Sequence, residues 1–217
     1  MNFKDIKMKI YLIRHGESQA NERNLFLGHG DLDLTKKGIE QAKKTAEFLS
    51  KLPVDKIYSS DLLRAYNTAK ESAKVLGLPI ITNKGLREID CGEWDFMPFD
   101  EIRVKYKKSF DTWYSDVANA RCDGGESVAE VQERIAKTIT EIAKENPDKT
   151  VLIFSHATAI RCFAAYCTGK GIHGVQETPW ANNASVTEVE YTDGFKLINY
   201  GRDDFLKGIS TGLPNDV

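Results

Sequence analysis

Lys9-Ile10-Tyr11-Leu12-Ile13-Arg14-His15-Gly16-Glu17-Ser18 is the stretch on which the reading of this chain turns. A short apolar, β-favouring run stops abruptly at Arg-His-Gly, and polar residues follow as far as Asn21. A run of this length, bounded by a turn signal, suits a buried parallel strand. Ligands of open α/β sheets collect beyond the carboxyl ends of the strands. Such a strand therefore presents Arg14 and His15 at the mouth of a site. Gly16 lets the backbone turn sharply and approach a ligand closely. The guanidinium offers a planar fork of donors for phosphate or carboxylate, and the imidazole beside it can act as base or nucleophile. A surface His-Arg pair explains the dipeptide alone as well, so the decision rests with the rest of the chain.

Outward from that strand, residues 19–34 are polar and glycine-containing, and are expected as a long loop over the site. Thr35 is placed to cap a helix over 36–51, with Ile39, Ala42, Ala46 and Leu49 on one face and Pro53 after it. A second strand is expected at 56–60, with Asp61 as the cap of a helix over 62–76, and a third strand at 79–82. This alternation is the mark of a parallel α/β sheet. It breaks over 83–125, where a small inserted lid is expected at about 90–125. Seven of the 21 aromatic residues fall between Trp94 and Tyr114. They either pack the lid onto the core or form an apolar wall for a substrate's organic part. Beyond the insertion come a helix over 127–145, a buried strand over 150–154 ending at Ser155-His156, and a helix over 158–168. A hairpin around Asp193-Gly194, with strands at 184–191 and 195–200, closes the pattern. Residues 1–7 read as a loose extension, and those from Gly208 onward as frayed. Gly169-Lys170-Gly171-Ile172-His173-Gly174 matches a dinucleotide fingerprint but follows a helix instead of a strand, so it reads as a helix cap and loop.

The 217 residues suit one α/β domain. A net charge of −2 gives no general pull toward nucleic acid or anionic membrane. No stretch approaches the roughly 20 apolar residues of a membrane span, and the start lacks a long apolar core, so a cytoplasmic location is expected. Cys91, Cys122, Cys162 and Cys167 show neither metal-ligand nor redox spacing and read as free thiols. Asn183-Ala184-Ser185 fits a glycosylation pattern, which carries no weight without secretion.

Arg14 with His15, Arg64 near a helix start, Glu88 at the edge of the insertion and His156 at a second strand end would together make a phosphate pocket with an acid beside it. At this point the chain resembles the histidine phosphatase superfamily, the phosphoglycerate mutase-like clan. Arg14 to Ser18 with Asn21 match its opening motif, and Gly28, Asp31, Leu34, Thr35, Gly38, Gln41 and Ala42 its next one. Ser59 to Ala65 with Thr68-Ala69 match the second arginine motif, and Leu86-Arg87-Glu88 with Gly92-Glu93-Trp94 the acid motif. Gly124 to Ser127 and Phe154-Ser155-His156 complete the order.

The resemblance implies a three-layer α/β/α fold with a mostly parallel central sheet. It also implies a metal-independent enzyme that hydrolyses small phosphomonoesters, without a cofactor, through a phosphohistidine on His15. Glu88 would be the proton donor; Arg14, Arg64 and His156 would hold the phosphoryl oxygens. Ser18, Asn21, Gly28 and the backbone of Ala157 would contact substrate. Phosphoglycerate mutase activity, or a phosphoprotein-binding or phosphohistidine phosphatase role, are the alternatives. The short insertion and the Gly-Glu-Trp form of the acid motif favour hydrolysis over transfer. Five positions depart from the family pattern: Leu27 where Gln is frequent, Asp33 for Pro, Phe96 for Gly, and Ala157-Thr158 for a glycine-containing pair. Phe96 is expected to make the lid entrance bulkier, and the oligomeric state stays open.

Overall fold

In a computed structural model, residues 8–211 are described; the extension read at residues 1–7 lies outside them. Six strands form one sheet: β1 (Met8–Arg14), β2 (Lys56–Ser59), β3 (Ile80–Thr82), β4 (Thr150–Ser155), β5 (Val186–Tyr191) and β6 (Phe195–Arg202), in the order β3-β2-β4-β1-β5-β6. β3, β2, β4 and β1 run parallel, and the β5–β6 hairpin adds an antiparallel edge beside β1. Arg14 lies in register with Ser155, so the residues that follow, His15 and His156, leave adjacent strand ends side by side.

Alternation along β1 divides the core into two layers. Met8, Ile10 and Leu12 pack with Val131, Ile135 and Ile139 of α6 (Val128–Glu145) and Phe163 of α7 (Ala157–Cys167). Tyr11 and Ile13 face the other way, toward Leu49 of α2 (Lys36–Leu49) and Ala69 of α3 (Leu63–Leu76). The chain is therefore a three-layer α/β/α sandwich, as expected. Helix α6 starts at a reciprocal Ser127–Glu130 capping box, and Thr35 caps α2.

Several local expectations are corrected. The segment after β1 is not all loop, because Ser18 and Asn21 form a capping box that starts a one-turn helix, α1 (Gln19–Glu22). Ile39 is exposed, and α2 instead buries Gln41 and Thr45, both satisfied by hydrogen bonds to chain segments packed on that face. Asp61 does not cap α3: its carboxylate is held by the Arg87 fork at 2.6 and 2.5 Å, and Asp31 Oδ1 accepts from Leu63 N at 2.8 Å instead. Of the end read as frayed, residues 212–217 lie outside the described residues, and the described part is tied down. Gln41 Nε2 donates to Ile209 O and Thr211 Oγ1, and Thr211 Oγ1 donates to Glu17.

The insertion folds as α4 (Phe99–Lys105) and α5 (Lys107–Ser115) between short 3₁₀ turns, and α8 (Gly174–Glu177) follows α7. Trp94 is fully buried at its centre, edge-on to Phe26 at 5.3 Å and to Trp113 at 6.0 Å. This aromatic cluster is continuous with the core over α6 and α7.

Candidate active site

Two glycines set the position of the first histidine. A Cβ on Gly16 would stand 2.5 Å from Gly38 O, and one on Gly38 only 2.0 Å from Glu17 O. The turn after β1 can thus lie directly against the first turn of α2. His15 follows β1 with its backbone pinned by Ser155 O at 3.0 Å, and by Asn183 Nδ2 and Ala184 N, each 3.1 Å from its carbonyl. Its Nδ1 lies 2.7 Å from Gly16 O. A carbonyl only accepts, so Nδ1 carries the proton and Nε2 keeps the lone pair. Burial, then Arg64 and Arg14, hold this imidazole well below its ordinary value, so it is neutral and nucleophilic near pH 7.

Arg64, in the first turn of α3, is 1% exposed and donates through Nη1 to Gly30 O and through Nη2 to Gly28 O. Asp95 accepts from the amides of the same two glycines at 2.8 Å each, so this loop is gripped from both sides of its peptides. Arg14 donates to Ala181 O at 2.5 Å, while its buried Nε has no partner. Burial lowers Arg14 to about 10 and lowers Arg64 as well; Glu88 opposes both shifts. Glu88 is 7% exposed, and its two oxygens accept from Ile89 N at 2.9 Å and from Thr158 N at 3.2 Å.

His156 is the N-cap of α7, fully buried, with its ring centroid 5.2 Å from that of His15. Its Nε2 pairs with Ser60 Oγ at 2.8 Å, and its Nδ1 is left without a partner among the described residues. Burial and Arg64 hold it well below the usual histidine value.

Most of these groups border a cavity of about 350 Å³. Arg14, His15, Arg64, Glu88, Asn21 and Ala157 line it; Ser18 does too, while His156 and Gly28 stand behind the lining. Gly28 serves by closeness, since a Cβ there would meet Ile89 O at 2.4 Å. Asn21 Oδ1 accepts from Ser18 and from Asn183, leaving its amide nitrogen over. Ala157 does not have a left-handed backbone, so its side chain is accommodated without strain.

The apolar lining answers the question left by the lid aromatics. Phe99 and Trp113 line the cavity, whereas Trp94 and Phe110 pack behind it. Phe96 does neither. It keeps the left-handed φ of +64° of a glycine position, is 50% exposed, and lays its ring over Gly30. Phe26, Trp180 and Asn183 are lining residues that the sequence did not single out. Only tertiary folding brings them there, although the Asn183 triplet had drawn notice for another reason. Among the described residues, no cluster of three or more His, Cys, Asp or Glu is arranged to hold a metal ion. No helix of these residues is long and apolar enough to cross a membrane.

A sheet with two histidines at neighbouring strand ends, beside two arginines withdrawn from solvent and a glutamate, defines a class of phosphoryl-transfer site. The chain belongs to the histidine phosphatase superfamily (branch 1), whose family model matches residues 10–203. Phosphoserine phosphatase 1 of Hydrogenobacter thermophilus is 37% identical over 165 residues, covering 76% of this chain and 77% of the relative. A probable phosphoglycerate mutase, GpmB, of an Enterobacter strain is 28% identical over 186 residues, 86% of each chain. Among solved structures, Bacillus stearothermophilus YhfR superimposes with a TM-score of 0.88 at 28% identity, over 92% of this chain and all of that one. The chain is accordingly an enzyme of the phosphatase and mutase kind.

Proposed function

We propose that this enzyme hydrolyses small phosphomonoesters through a phosphohistidine on His15, with Glu88 as the proton donor. The observation that carries the reading is a neutral, buried His15 whose Nε2 has no hydrogen-bond partner among the described residues, set beside the buried Arg64 and the half-buried Arg14, neither of them in a salt bridge among those residues. Guanidinium groups withdrawn from water without a salt-bridge partner are costly unless an anion joins them. A dianionic phosphoryl group fits between Arg14 and Arg64.

In the first step Nε2 attacks phosphorus, the P–O bond to the leaving group breaks, and Glu88 gives its proton to the departing alkoxide. In the second, Glu88 takes a proton from water as that water attacks phosphorus; the N–P bond breaks and inorganic phosphate leaves. The two arginines, the unpartnered Nδ1 of His156 and the amide at the start of α7 would hold the equatorial oxygens. Asn21 would contact the substrate through its leftover amide. Transfer between phosphoglycerates is less well supported, because the lid brings Phe99 and Trp113 to the cavity instead of arginines.

A panel of phosphorylated metabolites, assayed for phosphate release with and without 2,3-bisphosphoglycerate, separates the two. Hydrolysis without the bisphosphate is expected. Exchange of His15 for Ala should lower turnover at least about a thousandfold and abolish covalent labelling by a phosphodonor. Labelling of His156 in the wild type, or full activity in His15→Ala, would overturn the assignment.

A further inference from the structure

Three arginines have no ion pair among the described residues although they are buried or half-buried: Arg64 and Arg161 are buried and Arg14 half-buried. Arg14 and Arg64 are absorbed by the phosphoryl pocket. Arg161, on α7, is not. It is 7% exposed and lines a second cavity of about 280 Å³, which shares Phe99, Trp113 and Trp180 with the first. The two cavities are therefore neighbours across one aromatic wall.

The polar lining of the second cavity is made of donors. Arg161 spends Nε on Thr178 O at 2.6 Å, and Nη1 and Nη2 have no hydrogen-bond partner among the described residues. Gln176 accepts from Val117 N through Oε1, which leaves its Nε2 as a donor, and Tyr114 adds a hydroxyl. No carboxylate lines the cavity. The groups whose charge bears on Arg161 are Tyr200 and Cys162, both neutral near pH 7, since burial raises the phenol to about 12 and pushes the thiol higher. The guanidinium lies over the Trp180 ring at 4.3 Å, a contact that offsets part of the cost of burial and leaves the Nη edge free.

Trp180 itself is fixed. The carbonyls of Thr178, Pro179 and Ala181 are held by Arg161, by the Tyr200 hydroxyl at 2.7 Å and by Arg14 at 2.5 Å. The wall between the cavities thus stands on the phosphate arginine at one end and on Arg161 at the other.

We infer that the second cavity is a subsite for an anionic group, a carboxylate foremost, at the far end of the substrate's leaving group, with Arg161 as its specificity-determining residue. This rests on the phosphomonoesterase reading and deepens it: the preferred substrate is a phosphomonoester whose apolar or ring-bearing body lies along Trp113 and Trp180 and ends in an anion.

The test uses aryl phosphates that differ only at the para position, with the terminal group borne directly or on one or two methylenes. The wild type is expected to favour carboxylate over carboxamide by about tenfold or more in kcat/KM for at least one reach. Arg161→Gln should bring that ratio close to one, and Arg161→Lys should retain part of it. Equal kcat/KM for carboxylate and carboxamide at every reach, with phosphate still released, overturns the subsite alone. No phosphate release from any ester overturns the hydrolase reading instead. The subsite is then read without turnover, by quenching of tryptophan fluorescence in His15→Ala protein titrated with the dephosphorylated phenols. Saturable binding of the carboxylate at a lower concentration than the carboxamide supports it. Indistinguishable titrations overturn it, whether or not Arg161→Gln folds.

Discussion

Phe96 shows how a residue can keep a glycine's backbone while losing any connection with the site. Its φ of +64° costs a non-glycine residue about 1–2 kcal/mol. Part of that is returned by the contact of its ring with Gly30, where any side chain would strike the ring at 2.6 Å. The ring covers the outside of the loop held by Arg64 and never reaches the cavity lining. Phe96→Gly is therefore expected to change kcat/KM for aryl and compact phosphates alike by less than about twofold, because neither the wall nor the arginines move. A narrowed preference for aryl substrates in that variant would place the ring back in the pocket.

At the scale of elements, the contact between the end of β1 and the start of α2 decides where His15 stands. An alanine in place of a helical glycine ordinarily stabilises by about 1 kcal/mol. At Gly38 the new Cβ would lie 2.0 Å from Glu17 O, a backbone atom that cannot swing aside. Gly38→Ala is thus expected to destabilise by about 1–3 kcal/mol in urea unfolding and to lower kcat by displacing His15. A rise in stability would show that the strand end yields. The sequence carried this element order well, because strand ends, caps and apolar periodicity are local signals. It carried less where a distant partner decides. Asp61 has a capping residue's chemistry but pairs with Arg87, while Asp31, far back in the chain, caps α3. The stripe of α2 holds at Ala42, Ala46 and Leu49 but not at Ile39, because hydrogen bonds from other segments satisfy Gln41 and Thr45 as core residues. His15, Arg14, Arg64, Glu88 and His156 could be singled out from ordered motifs. Phe26, Trp180 and Asn183 reach the cavity only through chain crossings that no local pattern encodes.

For the molecule as a whole, two buried imidazoles make stability depend on pH. His15 and His156 are both held well below the ordinary value of 6.5 when folded. As the pH falls through about 6.5, the unfolded chain binds protons that the folded chain refuses. Stability present above that value is lost toward acid, with each histidine contributing up to about 1.4 kcal/mol per pH unit. The urea midpoint of the phosphate-free enzyme should accordingly fall between about pH 6.5 and 5, above the range where depressed carboxylates such as Asp61 begin to matter. The fall should be shallower in His15→Ala. A midpoint that is flat across this interval would mean that the imidazoles protonate in place.

The double grip on Gly28 and Gly30 also fixes where this enzyme can be cut and rejoined. Asp95 holds their amides and Arg64 their carbonyls, so the residue that follows the Gly92-Glu93-Trp94 motif is mechanically part of the clamp proposed for phosphate. Grafting a foreign lid at Gly92 or Trp94 would discard one jaw of that clamp along with the old specificity. A graft that begins after Asp95 exchanges α4 and α5 and leaves both jaws on Gly28 and Gly30 intact.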